Sequence, residues 1–447
     1  MRKGSVQLLL SAAALAFIAG FSGFTGTAGA QQATDSALVA KARAIHDRVI
    51  ALDTHVDIDP RNFTTEHPNY TDRLNTQVNL PKMFEGGLDA VFFSIYVGQG
   101  PLTPEGYQRA YDADMEKFAA VHRLAEQLAP DKIEIAYRAD DVAKIAAKGK
   151  KVALMGVENA YGVGTDITNI KKFYDQGARY MSLAHNGHSQ MSDSNTGERD
   201  GVWLYHGLSP LGKEAVAELN RVGIMIDISH PSKESMMQTL ALTKAPIIAS
   251  HSAVRALCDV SRNLDDEQLL ALKKNGGVVQ MVGFSGYVKQ SPPPSPERQQ
   301  ALAALRTEFG LPPAGGGGGG AGGGGGGRGG GGLQSLSAEK RAEYQRRMAQ
   351  VDSQFPPPPR ATVKDYVDHI DYAVKLIGLD HVGLSSDFDG GGGVEGWNQA
   401  SETFNVTLEL VRRGYTEEQI AKMWSGNLLR VMRQVEKVAA GLQKKAD

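Results

Sequence analysis

The chain is poor in cysteine and has almost no excess of charge of either sign. Cys258 is the single cysteine among 447 residues, so an internal disulfide cannot form and a small disulfide-stapled fold is excluded. The formal net charge is −2, which gives no electrostatic reason to bind nucleic acid and favours a small neutral or zwitterionic ligand. The content of 41% hydrophobic and 22% charged residues is that of a globular protein, and the length allows a large core.

The N-terminal segment, residues 1–30, has the pattern of a secretory signal peptide. Met1-Arg2-Lys3 precedes an apolar run to about Ile18 and the small residues Ala28-Gly29-Ala30. This order predicts cleavage before Gln31 and a secreted or periplasmic protein. The apolar run is short for a membrane span, and no cysteine near the cleavage site could carry a lipid. We therefore expect no stable membrane insertion after cleavage, with an uncleaved anchor as the alternative.

After the signal, apolar runs of strand length alternate with segments of helical periodicity, as in parallel sheets. Eight such runs lie at residues 49–57, 89–96, 152–158, 179–184, 223–229, 246–250, 277–283 and 382–386. Eight strand–helix units predict an α/β fold, a (β/α)8 TIM-type barrel, whose active site lies at the carboxyl ends of the strands. The last helical segment, residues 401–441, is expected to pack on the outside of the barrel.

A doubly wound open sheet is the alternative fold, because it also alternates strands and helices. Such a sheet would not gather the polar ends of many strands around one axis. The first apolar run also lacks the glycine-rich turn that binds dinucleotide phosphates. The barrel is therefore the favoured fold.

Metal-binding residue types stand at the ends of six predicted strands: His55, Asp57, Glu158, His185, His230, His251 and Asp387. One His-x-Asp pair would be weak evidence, but seven such residues at one end of a barrel are hard to explain as core residues. Zinc binds imidazole nitrogen and carboxylate oxygen. A carboxylate such as Glu158 can bridge two ions, and a hydroxide shared between them is a strong nucleophile at neutral pH. The spacing leaves open whether Asp387 binds metal or transfers protons.

One segment, at about residues 290–360, interrupts the alternation. It contains Pro292-Pro293-Pro294, a glycine tract from Gly315 to Gly332 and a proline run at 356–359. Glycine tracts bury no apolar surface and lose much entropy on ordering, which predicts a flexible, low-complexity insertion after strand seven. Residues 296–309 and 337–354 have helical composition and suggest a solvated hairpin or lid. The predicted organisation is therefore a signal peptide at 1–30 and one metal-dependent domain at 31–447, interrupted by this insertion.

Eight short motifs follow one another along the chain: Asp53-Thr54-His55-Val56-Asp57, Gln77-Val78-Asn79-Leu80-Pro81-Lys82, Gly156-Val157-Glu158, Asp227-Ile228-Ser229-His230, Ser250-His251-Ser252, Ser261-Arg262-Asn263, Ser386-Asp387-Phe388-Asp389-Gly390 and Gly426-Asn427-Leu428-Leu429-Arg430-Val431. Together they resemble the membrane (renal-type) dipeptidases, the metallopeptidase branch of the amidohydrolase barrels. The resemblance covers residues 40 to 435 except the insertion.

This resemblance implies a dipeptidase with two zinc ions as cofactors. It implies that His55 and Asp57 bind one ion, that His230 and His251 bind the other, and that Glu158 bridges both. The implied substrate is a small dipeptide, with no nucleic acid as a partner and with a homodimer left open.

The resemblance also implies the residues that handle the substrate. His185 would polarise the carbonyl or stabilise the oxyanion, and Arg262 would grip the terminal carboxylate through the two parallel hydrogen bonds that a guanidinium offers. Asp387 would be the acid/base that passes a proton to the leaving amine. Many relatives carry a hydroxylated aromatic residue after the phenylalanine of strand seven. This chain has Phe284-Ser285-Gly286 there, which leaves the displaced Tyr287 as the substrate-binding candidate.

Two other functions fit parts of the pattern. An amidohydrolase of the same fold that acts on another amide or a lactone would keep the same metals. A periplasmic binding protein without turnover would need neither Asp387 nor a bridging Glu158. A serine hydrolase is not favoured, because no G-x-S-x-G elbow accompanies the serines at the strand ends.

Overall fold

The computed structural model describes residues 25–311 and 336–444, and a sheet of parallel strands forms its centre. The strands are β1 (Leu52–Asp57), β2 (Ala90–Tyr96), β3 (Ile133–Ile135), β4 (Lys151–Glu158), β5 (Ala178–Ser182), β6 (Met225–Asp227), β7 (Ile248–Ser252), β8 (Val278–Val282) and β9 (Val382–Ser385). Eight of them pair in the order β1-β2-β4-β5-β6-β7-β8-β9. The amide of Asp57 donates to the carbonyl of Phe388 at 2.9 Å, which brings the two edges together. The predicted (β/α)8 barrel is confirmed as a near-closed barrel.

Helices surround this barrel. They are α1 (Thr25–His46), α2 (Leu80–Gly86), α3 (Pro104–Arg123), α4 (Ala139–Ala146), α5 (Asn169–Gln176), α6 (Thr196–Asp200), α7 (Pro210–Val222), α8 (Lys233–Leu242), α9 (Asp266–Asn275), α10 (Ser285–Val288), α11 (Pro296–Glu308), α12 (Ala338–Gln354), α13 (Val363–Ile377), α14 (Phe404–Arg412), α15 (Glu417–Ala421) and α16 (Asn427–Gln443). Local signals set their ends. The side chain of Ser209 caps the start of α7, and Gly223 ends it at φ +95°, a conformation that glycine adopts without strain. The chain is thereby turned directly into β6.

The final helix lies across one end of the barrel. A buried cluster joins one face of α16 to the first residues of several strands: Leu428, Leu429, Val431, Met432 and Val435 with Leu52, Ala90, Met225, Ile248 and Val278. The apolar spacing of α16 therefore serves to cover the amino-terminal end of the barrel, a more specific position than the predicted packing of residues 401–441 on the outside. The carboxyl ends of the strands are left to form the site.

Two parts of the chain do not belong to the alternation of long strands and helices. β3 is a three-residue strand that pairs only with β4, and it is too short to give a pattern. The insertion follows β8, the seventh predicted strand, and contributes α11 and α12. These two helices pack through their own apolar cluster of Leu305, Leu311, Leu336 and Tyr344. The glycine tract predicted to be flexible lies outside the described residues.

The predicted signal peptide falls mostly outside the described residues as well. Residues 1–24 are not described, and α1 runs through the predicted cleavage site at residue 31. The end of α1 is fixed to the domain by Arg43, which lies 3.5 Å over the ring of Phe404, and by His46, whose Nδ1 is 2.8 Å from Thr407 Oγ1. Among the helices within residues 25–311 and 336–444, none is both long and apolar enough to cross a bilayer. The signal peptide stays a prediction.

Candidate metal centre

The carboxyl ends of the strands bring the seven predicted metal-type residues together. His55 and Asp57 lie in β1, Glu158 ends β4 and His251 lies in β7, while the others follow strands: His185 after β5, His230 after β6 and Asp387 after β9. All except Asp57 are buried. Their side chains meet because parallel strands of a barrel end on one face.

Glu158 lies at the middle of this group, and its two carboxylate oxygens face different partners. Oε2 is 3.2 Å from His55 Nε2, and that nitrogen is 3.7 Å from Asp57 Oδ2. Oε1 is 3.0 Å from His230 Nε2 and 3.5 Å from His251 Nε2. One carboxylate therefore joins two sets of donors.

These donors are close enough to bind cations. Three overlapping groups have their ligand atoms within 4.8 Å of one another: His55, His251 and Asp387; Glu158, His185 and His230; and His55, Asp57 and Glu158. His55 Nε2 is fully buried, yet it makes no hydrogen bond within the described residues. A buried polar atom without a partner is costly. A cation that accepts this nitrogen together with the nearby carboxylates would satisfy it, so the residues fit a metal such as zinc.

The far nitrogens of two of these histidines are held in place by side chains. His230 Nδ1 donates to Asn186 Oδ1 at 3.1 Å. His251 Nδ1 donates to Ser250 Oγ at 2.8 Å, and Ser250 Oγ donates to Asp227 Oδ2 at 2.6 Å. Such contacts fix the tautomer that leaves Nε2 free to bind a metal.

Burial and charge set the protonation of the centre. Burial lowers the pKa of His230 and of His251 well below the ordinary value, so both are neutral, as metal ligands must be. Burial raises the pKa of Asp387 well above its usual range, and the charges of Asp57 and Glu158 add to the shift. A carboxyl group in such surroundings is suited to holding a proton near neutral pH.

The backbone around Asp387 is shaped for this position. Asp387 has φ +59° and His230 has φ +82°, a region that costs a residue with a side chain about 1–3 kcal/mol and that recurs at functional sites. Gly390 packs against the acids, because a Cβ there would lie 2.2 Å from Asp57 Oδ2 and 2.3 Å from Asp387 Oδ1. The space that both carboxylates occupy thus depends on glycine at this position.

A second group of side chains borders the metal-type residues. Arg262 is 3% exposed, and its Nη1 donates to Ser252 Oγ at 2.9 Å. Its Nε and Nη2 make no hydrogen bond to any described residue. Its guanidinium lies 5.5 Å from the ring of Tyr287, and Tyr287 lines the same cavity as Asp57, Glu158 and Asp387. The arginine therefore has unused donors beside the cavity.

The sequence had not indicated some residues of this site. Tyr96 ends β2 and lines the cavity, with its ring centroid 4.6 Å from that of His185. Its position at the end of an apolar run was the available signal. Asn186, Ser250 and Asp227 stand beside or within the motifs, but nothing in their spacing shows that they contact the histidines.

Comparisons with known proteins agree with this arrangement. Residues 39–446 match the model of the family described as membrane dipeptidase (peptidase family M19). Dipeptidase tcpJ of Claviceps purpurea (strain 20.1) is 30% identical over 375 residues, 83% of this chain and 72% of the relative. Dipeptidase aclJ of Aspergillus oryzae (strain ATCC 42149 / RIB 40) is 30% identical over 407 residues, 88% and 80% of the two chains.

A solved structure is similar over nearly the whole chain. The probable dipeptidase PvdM from Pseudomonas aeruginosa superposes with a TM-score of 0.72 at 34% identity, and the match covers 90% of this chain and all of that one. The barrel, the buried metal-type residues and these relatives lead to one conclusion. The chain belongs to the membrane dipeptidase family, peptidase family M19, and is a metallopeptidase of the dipeptidase type that hydrolyses peptide bonds.

Proposed function

We propose that this protein hydrolyses dipeptides with a binuclear zinc centre. The observation that carries the proposal is the position of Glu158, whose two oxygens lie 3.2 Å from His55 Nε2 and 3.0 Å from His230 Nε2. A carboxylate placed in this way between two donor sets is suited to bridging two ions.

These contacts and the family resemblance support one assignment of the ligands. His55, Asp57 and Glu158 would hold one ion, while His230, His251 and Glu158 would hold the other. When bound, the ions would polarise the scissile carbonyl and lower the pKa of the nucleophilic water. All other steps belong to the side chains of the protein.

Substrate binding and proton transfer are assigned to four residues. Arg262 holds the terminal carboxylate with its free Nε and Nη2, and Tyr287 borders the same end of the substrate. Burial lowers the pKa of His185, so a neutral imidazole faces the carbonyl and stabilises its developing charge as a hydrogen-bond donor. Asp387 takes the proton from the attacking water and delivers it to the leaving amine.

The location and the partners follow from the sequence. The predicted signal peptide places the enzyme outside the cytoplasm, secreted or periplasmic, with a small dipeptide as its ligand. A homodimer is compatible with this function but is not required by the assigned residues, which all come from one chain.

Amidation of the substrate tests the role of Arg262. A dipeptide whose terminal carboxylate is converted to an amide should show kcat/KM about 10- to 100-fold lower, because one charge-assisted hydrogen bond of about 1.5–3 kcal/mol is lost. Arg262→Lys should lower kcat/KM for the free dipeptide by a similar factor and leave the amide nearly unaffected, since lysine cannot reproduce the paired donors.

The measurement is steady-state kinetics of both proteins on both substrates and on a simple lactone. Preference of the wild-type protein for the amide or the lactone would contradict the dipeptidase assignment and favour another amidohydrolase activity. An equal loss on both substrates in Arg262→Lys would show that the arginine does not read the carboxylate.

A further inference from the structure

His55, the third histidine among the proposed metal ligands, contacts a tyrosine. His55 Nδ1 lies 2.8 Å from the hydroxyl of Tyr180, and both side chains are fully buried. Ser250 is the chain neighbour of the histidine it contacts, and Asn186 lies on a loop between strands. Tyr180 instead reaches His55 from within β5, a strand separated from β1 by β2 and β4. The contact therefore crosses the interior of the barrel.

Gly156 makes room for this tyrosine. Gly156 in β4 is paired with Tyr180 in β5, and a Cβ on Gly156 would lie 2.0 Å from Tyr180 Cζ. The phenol ring thus fills the space of the missing side chain, and the ring of Phe92 lies against it with 5.1 Å between centroids. Packed on these sides, the ring cannot move away from His55 without disturbing two strands.

We infer that Tyr180 is a positioning residue for the metal ligand His55 and that Gly156 is required because it admits the tyrosine. This inference rests on the proposed metal centre. When Nε2 of His55 binds a metal, Nδ1 carries the proton and donates a hydrogen bond to the Tyr180 oxygen. That bond fixes the tautomer and the ring plane, so that Nε2 is aimed at Glu158 and Asp57.

Tyr180→Phe tests the inference with a minimal change, because it removes the hydroxyl and keeps the ring. We expect the variant to bind two zinc ions when zinc is in excess. One of the two ions should bind about 10- to 100-fold more weakly, the usual cost of losing the group behind a metal-binding histidine. The measurement is zinc affinity of the metal-depleted protein by competition with a chromogenic chelator.

Tyr366→Phe is the matched control. Tyr366 is also fully buried, and its hydroxyl donates to the backbone carbonyl of Met281 at 2.9 Å, so its loss removes one buried hydrogen bond outside the centre. Tyr366→Phe should leave both zinc affinities as in the wild type. The midpoints of thermal unfolding of metal-free Tyr180→Phe and Tyr366→Phe should be similar. Equal zinc affinities in Tyr180→Phe and the wild type would overturn the inference.

A double-mutant cycle tests the part played by Gly156. Gly156→Ala should displace the phenol and weaken the same ion, and adding Tyr180→Phe to it should have little further effect, because the contact is already broken. Fully additive losses would show that the two residues act independently. A wild-type protein that binds no zinc would contradict the proposed function itself, a result distinct from a failure of the tyrosine to matter.

Discussion

Asp387→Asn is expected to lower turnover of a dipeptide by about 100- to 10,000-fold, the range that a general acid/base supplies, while both metal ions stay bound. Asparagine keeps the shape of the side chain but cannot accept a proton from water. The retained metals are expected because the five proposed ligands, His55, Asp57, Glu158, His230 and His251, would hold the ions without Asp387. The check is zinc content and kcat measured on the same preparation.

Asp389→Asn is the control for this variant. Asp389 is two residues further on, also has a positive φ, of +62°, and accepts hydrogen bonds from the amides of Gln77 and Val78. Its replacement removes a carboxylate from the same loop but not from the cavity. We therefore expect turnover of the dipeptide to fall by less than about tenfold. If Asp387→Asn instead loses zinc and excess zinc restores activity, Asp387 is a metal ligand and the proton-transfer role is wrong.

Glu158→Gln is expected to weaken the binding of both zinc ions and to abolish measurable turnover at ordinary zinc concentrations. The carboxamide is similar in size, but its NH2 group cannot bind a metal and must face one of the two donor sets. Each ion should bind more weakly by more than the about 10- to 100-fold that loss of a supporting hydrogen bond costs. Zinc titration of the metal-depleted variant gives both affinities.

The number of ions affected decides the role of Glu158. Besides the two donor sets, Glu158 contacts Ser94, whose Oγ donates to Oε2 at 3.1 Å. In Glu158→Gln this hydrogen bond can persist with the amide oxygen. Loss of one ion with the other unchanged would refute a shared carboxylate and assign Glu158 to a single site.

Much of the fold could be predicted because buried parallel strands are continuous apolar runs. The run before His55 and the run before Glu158 are examples, and each ends at a polar residue because the strand there leaves the core. The position of α16 could not be predicted in the same way. An apolar helical face such as Leu428, Val431 and Val435 indicates burial, but periodicity does not say whether the partner is the side or the end of a barrel.

The site could be predicted for a similar reason, and only in part. Residues at strand ends, such as His55 and His251, converge wherever the barrel closes, so the alternation alone brings them together. Tyr180 is different, because its sequence neighbours indicate only a buried strand, and its contact with His55 depends on the pairing of β5 with β4 and on the missing side chain of Gly156. Contacts that need two such conditions have no local pattern.

The binuclear zinc centre is tested most directly by the number of zinc ions per chain in reconstituted wild-type protein, measured by elemental analysis together with the rate of dipeptide hydrolysis. We expect two zinc ions per chain, with hydrolysis rising to its full rate as the second ion binds and falling when a chelator removes it. Full hydrolysis of the dipeptide by protein that holds one zinc ion or none would contradict a binuclear centre.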